Sequence, residues 1–215
     1  MNIEKKMTQI WIGPRPAPMK WMNTWKEKHP DWEYSIFTQQ DLESRKFHNQ
    51  HLIDHYYAMG LYSGVSDLIR YELLYERGGF FPEADFLCME NTDELFTAPK
   101  EFCYTCYEQE KIRPGFVQPI LAANPGNDFV KTLIDILHPL RTDQMSKYPW
   151  KSTGNEWLSK VIPNYKPNIV IWPSHYFIPT HYDRAMPNYN GTDKVYAHHL
   201  WGSTGGGVDY REGVK

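Results

Sequence analysis

The sequence predicts an α/β fold, a mixed sheet flanked by helices. Three observations predict it. Short β-rich runs alternate with runs of helical period along the chain. One strongly amphipathic stretch, residues 63–77, stops at Gly78-Gly79 and passes directly into Phe80-Phe81. The chain has 215 residues, enough for one substantial domain and marginal for two, so residues 1–215 are expected to form a single domain.

The elements follow in order. Thr8-Gln9-Ile10-Trp11-Ile12 is a β-rich run closed by Gly13-Pro14, a first strand with its loop. Residues 19–29 carry Trp21, Met22 and Trp25 at helical spacing and end before Pro30. Residues 33–37 read as a second strand, and residues 39–59 as a polar helix with breaks. In residues 63–77, Val65, Leu68, Ile69, Leu73 and Leu74 make the apolar stripe. Residues 80–89 read as one strand interrupted by the acidic turn Pro82-Glu83-Ala84-Asp85. A strand near 102–107, helices near 128–137 and 155–162, and a strand at 169–172 complete the alternation. Sheets of this kind bind ligands at the carboxyl ends of their strands. Gly13-Pro14 and Glu83-Ala84-Asp85 both fall at strand ends, which points to one shared site.

Composition removes some functions. A formal net charge of −3 argues against a general nucleic-acid binder. The 8 Trp, 15 Tyr and 10 Phe can build a core or stack on sugars and bases, and composition does not separate these uses. Residues 1–7 lack the apolar run of a signal peptide, and no apolar stretch approaches the ~18 residues of a membrane helix. The expectation is a soluble, cytoplasmic protein. Cys88, Cys103 and Cys106 are too few and odd in number for a disulfide framework. Cys103 and Cys106 form a C-x-x-C within a strand-like run, whereas a redox pair belongs at a helix start and a structural zinc needs about four ligands.

Glu83-x-Asp85 places two carboxylates on one side of an extended backbone, a set of oxygen donors that suits Mn²⁺ or Mg²⁺. Such an ion would neutralise a diphosphate leaving group. A solvated turn has the same pattern. Asp67 and Arg70, three apart, share a helix face. An aspartate there can accept hydrogen bonds from sugar hydroxyls and an arginine can hold hydroxyls or phosphate oxygens; on local chemistry alone an intrahelical ion pair, with Asp67 near the positive helix end, is the better fit.

At these residues the chain resembles a family. Gly64-x-Ser66-Asp67-x-x-Arg70-Tyr71, followed by Gly78-Gly79-Phe80-Phe81-Pro82-Glu83-Ala84-Asp85, resembles the DXD sugar-transferase signature. The family contains yeast Golgi α-mannosyltransferases and bacterial capsular polysaccharide transferases, with the clostridial glucosylating toxins more distant; small viral capsid-decorating glycosyltransferases are similar in size. Ile10-Trp11-Ile12-Gly13 resembles its opening strand and His29-Pro30-Asp31-Trp32-Glu33-Tyr34 its N-P-x-W-E-Y. Asn124-Pro125-Gly126, Ser152-Thr153-Gly154-Asn155 and His198-His199-Leu200-Trp201-Gly202-Ser203 resemble later family segments, so the likeness spans most of the chain in order. Two departures stand out: Glu83 replaces the first Asp of the motif, and Thr204 replaces a closing Trp.

The resemblance implies a GT-A fold that moves a hexose from a nucleotide-sugar, UDP-linked by preference and GDP-linked as the alternative, to a glycan or glycoprotein hydroxyl with retention. It implies Asp67, Arg70 and Asp85 as catalytic residues. Trp11, Gly13, Ser66, Asp67, Arg70, Glu83 and Ser203 would contact the donor, with Trp11 stacked on the base. Glu83, Asp85 and His198 or His199 would hold Mn²⁺ or Mg²⁺. Trp172, His175, Tyr176 and His181 are candidates for the acceptor side. The rivals are a degenerate, non-catalytic sugar- or nucleotide-binding module, a glycoside hydrolase and a metal phosphoesterase. The hydrolase needs two acids flanking the sugar, roughly 5–9.5 Å apart, while Glu83 and Asp85 share one turn. The phosphoesterase needs a richer His/Asp ligand set.

Overall fold

A computed structural model describes residues 2–119, 121–183, 185–202 and 206–214. In chain order the elements are β1 (Lys6–Ile10), α1 (Met19–Lys28), β2 (Glu33–Phe37), α2 (Gln39–Glu43), α3 (Gln50–Ala58), α4 (Tyr62–Arg77), β3 (Gly79–Phe80), β4 (Phe86–Cys88), β5 (Cys103–Cys106), β6 (Ala122–Ala123), α5 (Asp128–Leu137), α6 (Asn155–Tyr165), β7 (Ile169–Trp172), β8 (Ala197–His199) and α7 (Arg211–Val214). A six-stranded sheet has the order β2-β1-β3-β6-β5-β7. β1 is parallel to β2 and β3, β6 is antiparallel to β3 and β5, and β7 is parallel to β5. The expected α/β fold with a mixed, helix-flanked sheet is therefore observed.

Side-chain alternation along the strands feeds two apolar layers. On one face Ile10, Phe81 and Cys103 pack with the buried sides of α3, α4 and α5. On the other, Met7, Phe80 and Tyr104 join Trp25 of α1 in an aromatic layer. Trp172 belongs to that layer, stacked on Tyr104 with centroids 5.4 Å apart. Its proposed acceptor role is corrected: the ring is spent on the core. Cys103 and Cys106 are free, buried thiols, and burial pushes Cys103 up to about 12.

Two sequence expectations change in form. The 39–59 stretch is two helices, and the break between them is held from α4. His48 N and Asn49 N donate to the Glu72 carboxylate at 2.7 and 2.8 Å. The interrupted strand over 80–89 is two strands in two sheets: β3 lies in the main sheet, and β4 pairs antiparallel with β8, Phe86 opposite His199. A turn closed by Phe86 N donating to Glu83 O at 3.2 Å separates them. Gly79 does more than stop a helix. Its φ is +99°, and a Cβ there would sit 2.4 Å from Lys6 O, so only glycine lets β3 lie against β1. Among the described residues, no helix is long and apolar enough to cross a membrane.

Candidate active site

The site forms where α4 runs behind the carboxyl ends of β1 and β3. The apolar stripe of α4 is buried as its spacing requires, but Asp67, Arg70 and Glu72 are buried with it. Charges taken from water need partners. Arg70, 2% exposed, places Nη1 2.5 Å from Glu83 Oε1. Asp67 Oδ2 accepts from Thr153 Oγ1 at 2.9 Å. The two α4 residues thus reach separate anchors rather than closing a simple intrahelical pair. Burial pushes the Asp67 carboxyl up to about 7, with Arg70 pulling against it and Glu83 adding to it. Burial also opposes the Arg70 charge, but the Glu83 and Asp67 carboxylates outweigh it and raise the guanidinium further. Arg70 Nε is buried with no hydrogen-bond partner among the described residues.

The acidic segment is tied to the sheet. Gln9 Nε2 donates to Glu83 O at 3.0 Å, and Tyr34 Oη donates to Gln9 Oε1 at 2.6 Å. Past the turn, Asp85 faces a different neighbour. His199 Nε2 is 3.2 Å from Asp85 Oδ1, Gly202 N donates to Oδ2 at 3.0 Å, and Leu200 N donates to the Asp85 carbonyl at 2.9 Å. Burial pushes the Asp85 carboxyl up, yet the His199 charge and hydrogen bond and the Gly202 amide outweigh it, leaving it below the ordinary range. The expectation that Glu83 and Asp85 line one side of an extended backbone is corrected: the turn between them sends Glu83 to Arg70 and Asp85 to β8.

Strand alternation separates the two histidines. His199, opposite Phe86, meets Asp85; His198, opposite Leu87, projects to the other face of β8. The His199 ring is clamped by Trp201, stacked at 3.8 Å, and by the edge of Phe86 at 4.5 Å. Its Nδ1 is buried without a hydrogen-bond partner among the described residues. No group of three His, Cys, Asp or Glu converges on one point among those residues. Asp85 and His199 nevertheless offer a carboxylate oxygen and an imidazole nitrogen side by side. Mg²⁺ and Mn²⁺ commonly take few protein ligands and complete their shell with phosphate oxygens and water. The pair fits such an ion as a two-ligand half-site, and Glu83 stands outside it as the partner of Arg70. Ser203 and Thr204 lie outside the described residues.

On the β1 side, half-buried Trp11 donates its amide to Phe37 O at 2.9 Å and its Nε1 to Arg15 O at 2.7 Å. Gly13 has φ +108°, and a Cβ there would meet the Tyr62 ring at 2.8 Å, so the loop after β1 lies flat on the first turn of α4. Ser66 sits half-buried beside Asp67 on that helix.

Sequence reasoning missed a further buried carboxylate. Glu108, just past β5, receives Arg113 Nη1 at 2.8 Å, His181 Nε2 at 3.2 Å and Asn155 Nδ2. Asp183 N donates to His181 Nδ1 at 3.0 Å, so the ring proton sits on Nε2 and points at Glu108. Burial pushes the Glu108 carboxyl up; the His181 hydrogen bond and the Arg113 charge outweigh it and hold it below the ordinary range. His181 packs on Trp201 at 4.8 Å, and Asn155 follows the Thr153-Gly154 step that touches Asp67. The rule that placed Gly13 and Glu83 at strand ends, applied to the strand near 102–107, would have found Glu108. His175 and Tyr176 are elsewhere, packed against Tyr189 at 4.2 Å and Tyr196 at 5.1 Å.

Residues 17–102 match the family described as "Glycosyltransferase sugar-binding region containing DXD motif". The chain is similar to inositol phosphoceramide mannosyltransferase 1 of Schizosaccharomyces pombe (strain 972 / ATCC 24843), 26% identical over 171 residues. That alignment takes in 74% of this chain and 50% of the relative, so the chain spans about half the length of the curated protein it matches. Among solved structures it is similar in fold to the PaToxG glycosyltransferase, with a TM-score of 0.62 at 17% identity over 76% of this chain and 70% of that one. It also aligns, with a TM-score of 0.39 at 12% identity, to a glycosyltransferase involved in the glycosylation of the major capsid of PBCV-1, over 79% of this chain and 82% of that one. The matched 17–102 segment contains Asp67, Arg70, Glu83 and Asp85.

Proposed function

We propose that this chain, whose residues 17–102 match the family described as "Glycosyltransferase sugar-binding region containing DXD motif", transfers a hexose from a nucleotide-sugar to a glycan or glycoprotein hydroxyl. UDP-sugars are the favoured donors, GDP-sugars the alternative, and the anomeric configuration is retained. The observation that carries this reading is the contact set of α4 and the acidic segment: buried Asp67, Arg70 held by Glu83, and Asp85 beside His199.

Each side chain has a task in this reading. The Asp67 carboxylate accepts hydrogen bonds from donor-sugar hydroxyls and fixes the ring's orientation. Arg70, fully charged, faces the developing negative charge of the departing diphosphate. Glu83 aims the guanidinium rather than binding a metal. Half-buried Trp11, at the end of β1, covers the donor base. Asp85 and His199 would hold Mn²⁺ or Mg²⁺, which neutralises diphosphate charge when bound. In this reading the acceptor hydroxyl attacks from the face the diphosphate leaves.

The test is a thermal-shift panel of UDP- and GDP-sugars with and without Mn²⁺, followed by NMR of the product anomer. A ligand at ~100 times its Kd adds about 2.7 kcal/mol, a readable shift. A shift that needs nucleotide and Mn²⁺ together supports the reading and names the base. No shift with any nucleotide overturns it in favour of a non-catalytic module, and an inverted product overturns retention alone.

A further inference from the structure

At the end of α6 nearest Asp67 the surface carries two exposed rings, Tyr148 at 48% and Trp150 at 44%. They stand 6.3 Å apart between centroids at 41°, an open V. Lysine ammonium groups lie over one face of each ring: Lys147 Nζ is 5.2 Å from the Tyr148 centroid, and Lys151 Nζ is 5.7 Å from that of Tyr148 and 5.0 Å from that of Trp150. Exposed aromatics on a loose loop would mean little, but this turn is rigid. Ser146 N donates to Ser152 Oγ at 2.8 Å, Thr153 N donates to Pro149 O at 2.8 Å, and Tyr56 Oη donates to Ser146 O at 3.1 Å. The backbone that carries the two rings is therefore fixed at both ends of the turn.

Their position relative to the donor residues is equally defined. A Cβ built on Gly154 would lie 3.0 Å from Trp150 Cα and 3.2 Å from Asp67 Oδ2. One glycine separates the backbone of the platform from the carboxylate assigned to the donor sugar.

We infer that Tyr148 and Trp150 form the acceptor subsite, binding a pyranose ring that bears a phosphate or other anionic substituent. A flat electron-rich ring suits the C–H face of a sugar, and the ammonium groups of exposed Lys147 and Lys151, which a sugar would displace from over the rings, supply charge for the anion. An aromatic pair of this size is small for a lipid interface, whereas it matches one or two sugar rings. The inference rests on the glycosyltransferase reading for its role, but the binding it asserts can be measured without turnover.

The experiment is saturation-transfer NMR on the whole chain, with methyl α-glucopyranoside, methyl α-mannopyranoside and glucose 1-phosphate as probes, in the presence of UDP or GDP with diamagnetic Mg²⁺ to fill the donor side. The phosphorylated hexose should bind better than the neutral glycosides. Replacing both rings (Tyr148→Ala with Trp150→Ala) should raise the probe Kd roughly five- to tenfold per ring lost, Trp150→Phe should retain most binding, and Lys147→Ala with Lys151→Ala should remove the preference for phosphate. Unchanged probe binding in the ring variants overturns the inference. Ring-dependent binding of the chain to phosphatidylserine vesicles, with no ring-dependent sugar signal, overturns it in favour of a membrane contact. Loss of the nucleotide-plus-Mn²⁺ thermal shift in the unaltered protein is a failure of the donor reading; a normal shift without ring-dependent sugar binding is a failure of the acceptor subsite alone.

Discussion

Asp85 Oδ1 lies 3.2 Å from His199 Nε2 because β4 and β8 pair with Phe86 opposite His199, and the same register turns His198 away. A dipeptide of two histidines is thus split into one that meets the acidic segment and one that does not. Substituting His199→Ala should weaken Mn²⁺ binding in the presence of nucleotide by at least about tenfold, since even groups that only orient a metal ligand are worth 10–100-fold. His198→Ala should leave it near the wild-type value, and Asp85→Asn should abolish it while the melting profile without metal stays cooperative. Titration by Mn²⁺ electron paramagnetic resonance reads all three. Equal losses for both histidines would place the ion elsewhere.

Asp67 makes a prediction about stability as well as activity. Its carboxyl is raised from 3.8 to about 7 by burial. A carboxyl raised on folding binds its proton more tightly in the folded state, so its contribution is full below the unfolded value and is lost as pH rises through about 7. Asp67→Asn should therefore melt above the wild type at pH 8, with a gap that narrows toward pH 4–5. Three units correspond to about 4 kcal/mol at most. The same variant should lose transfer activity, because an amide accepts sugar hydroxyl hydrogen bonds less strongly than a carboxylate. Scanning calorimetry across this pH range checks the sign.

The elements carrying the site were readable because each has a strong local signal. The α4 stripe and its Gly78-Gly79 stop, the strand at residues 169–172 and the helix at 128–137, capped by the Asn127 side chain, appear where periodicity and capping place them. Two-residue strands such as β3 and β6 carry no period at all; they exist because long-range pairing completes the sheet. The split of residues 80–89 into two sheets depends on β8, more than a hundred residues away, which no local pattern encodes. The same limit applies to chemistry. Asp67 and Arg70 were legible as a face of one helix, whereas the attachment of Arg70 to Glu83, the choice of His199 over His198 and the whole Glu108 cluster are tertiary contacts. Aromatic content was ambiguous for the reason given by composition: Trp172 went to the core and Trp150 to the surface.

Gly13 gives a test of whether the loop after β1, which follows α4, serves the proposed donor site. With φ at +108° and a Cβ 2.8 Å from the Tyr62 ring, an alanine there meets both backbone strain and a clash. Strain of this kind costs about 1–3 kcal/mol, and the loop is the cheapest element to move. Gly13→Ala should raise the KM for the nucleotide-sugar by roughly 5- to 100-fold while leaving most of the main-sheet stability intact. A drop in melting temperature with unchanged donor KM would show that the loop supports the fold rather than the donor.

Glu108 separates a buried anchor from an exposed ion pair. Arg113, with 34% of its side chain exposed, can turn to water when the carboxylate is removed, but His181 Nε2 and Asn155 Nδ2 are left in place without an acceptor. Glu108→Ala should therefore lower stability by about 1–3 kcal/mol for each donor stranded, less than a fully enclosed ion pair would lose. Glu108→Gln should lose less, because the amide oxygen still accepts one of these donors. The pH dependence fixes the assignment. A carboxyl held below its ordinary range on folding contributes stability above the unfolded pKa and loses it as pH falls through the folded one. The gap between wild type and Glu108→Ala should accordingly persist from pH 8 to pH 5 and close only in acid, the opposite trend to Asp67. Because His181 packs on Trp201 and Trp201 on His199, Glu108→Ala should also weaken Mn²⁺ binding without touching nucleotide binding in the absence of metal. A stability loss with no change in Mn²⁺ affinity would confine Glu108 to the scaffold.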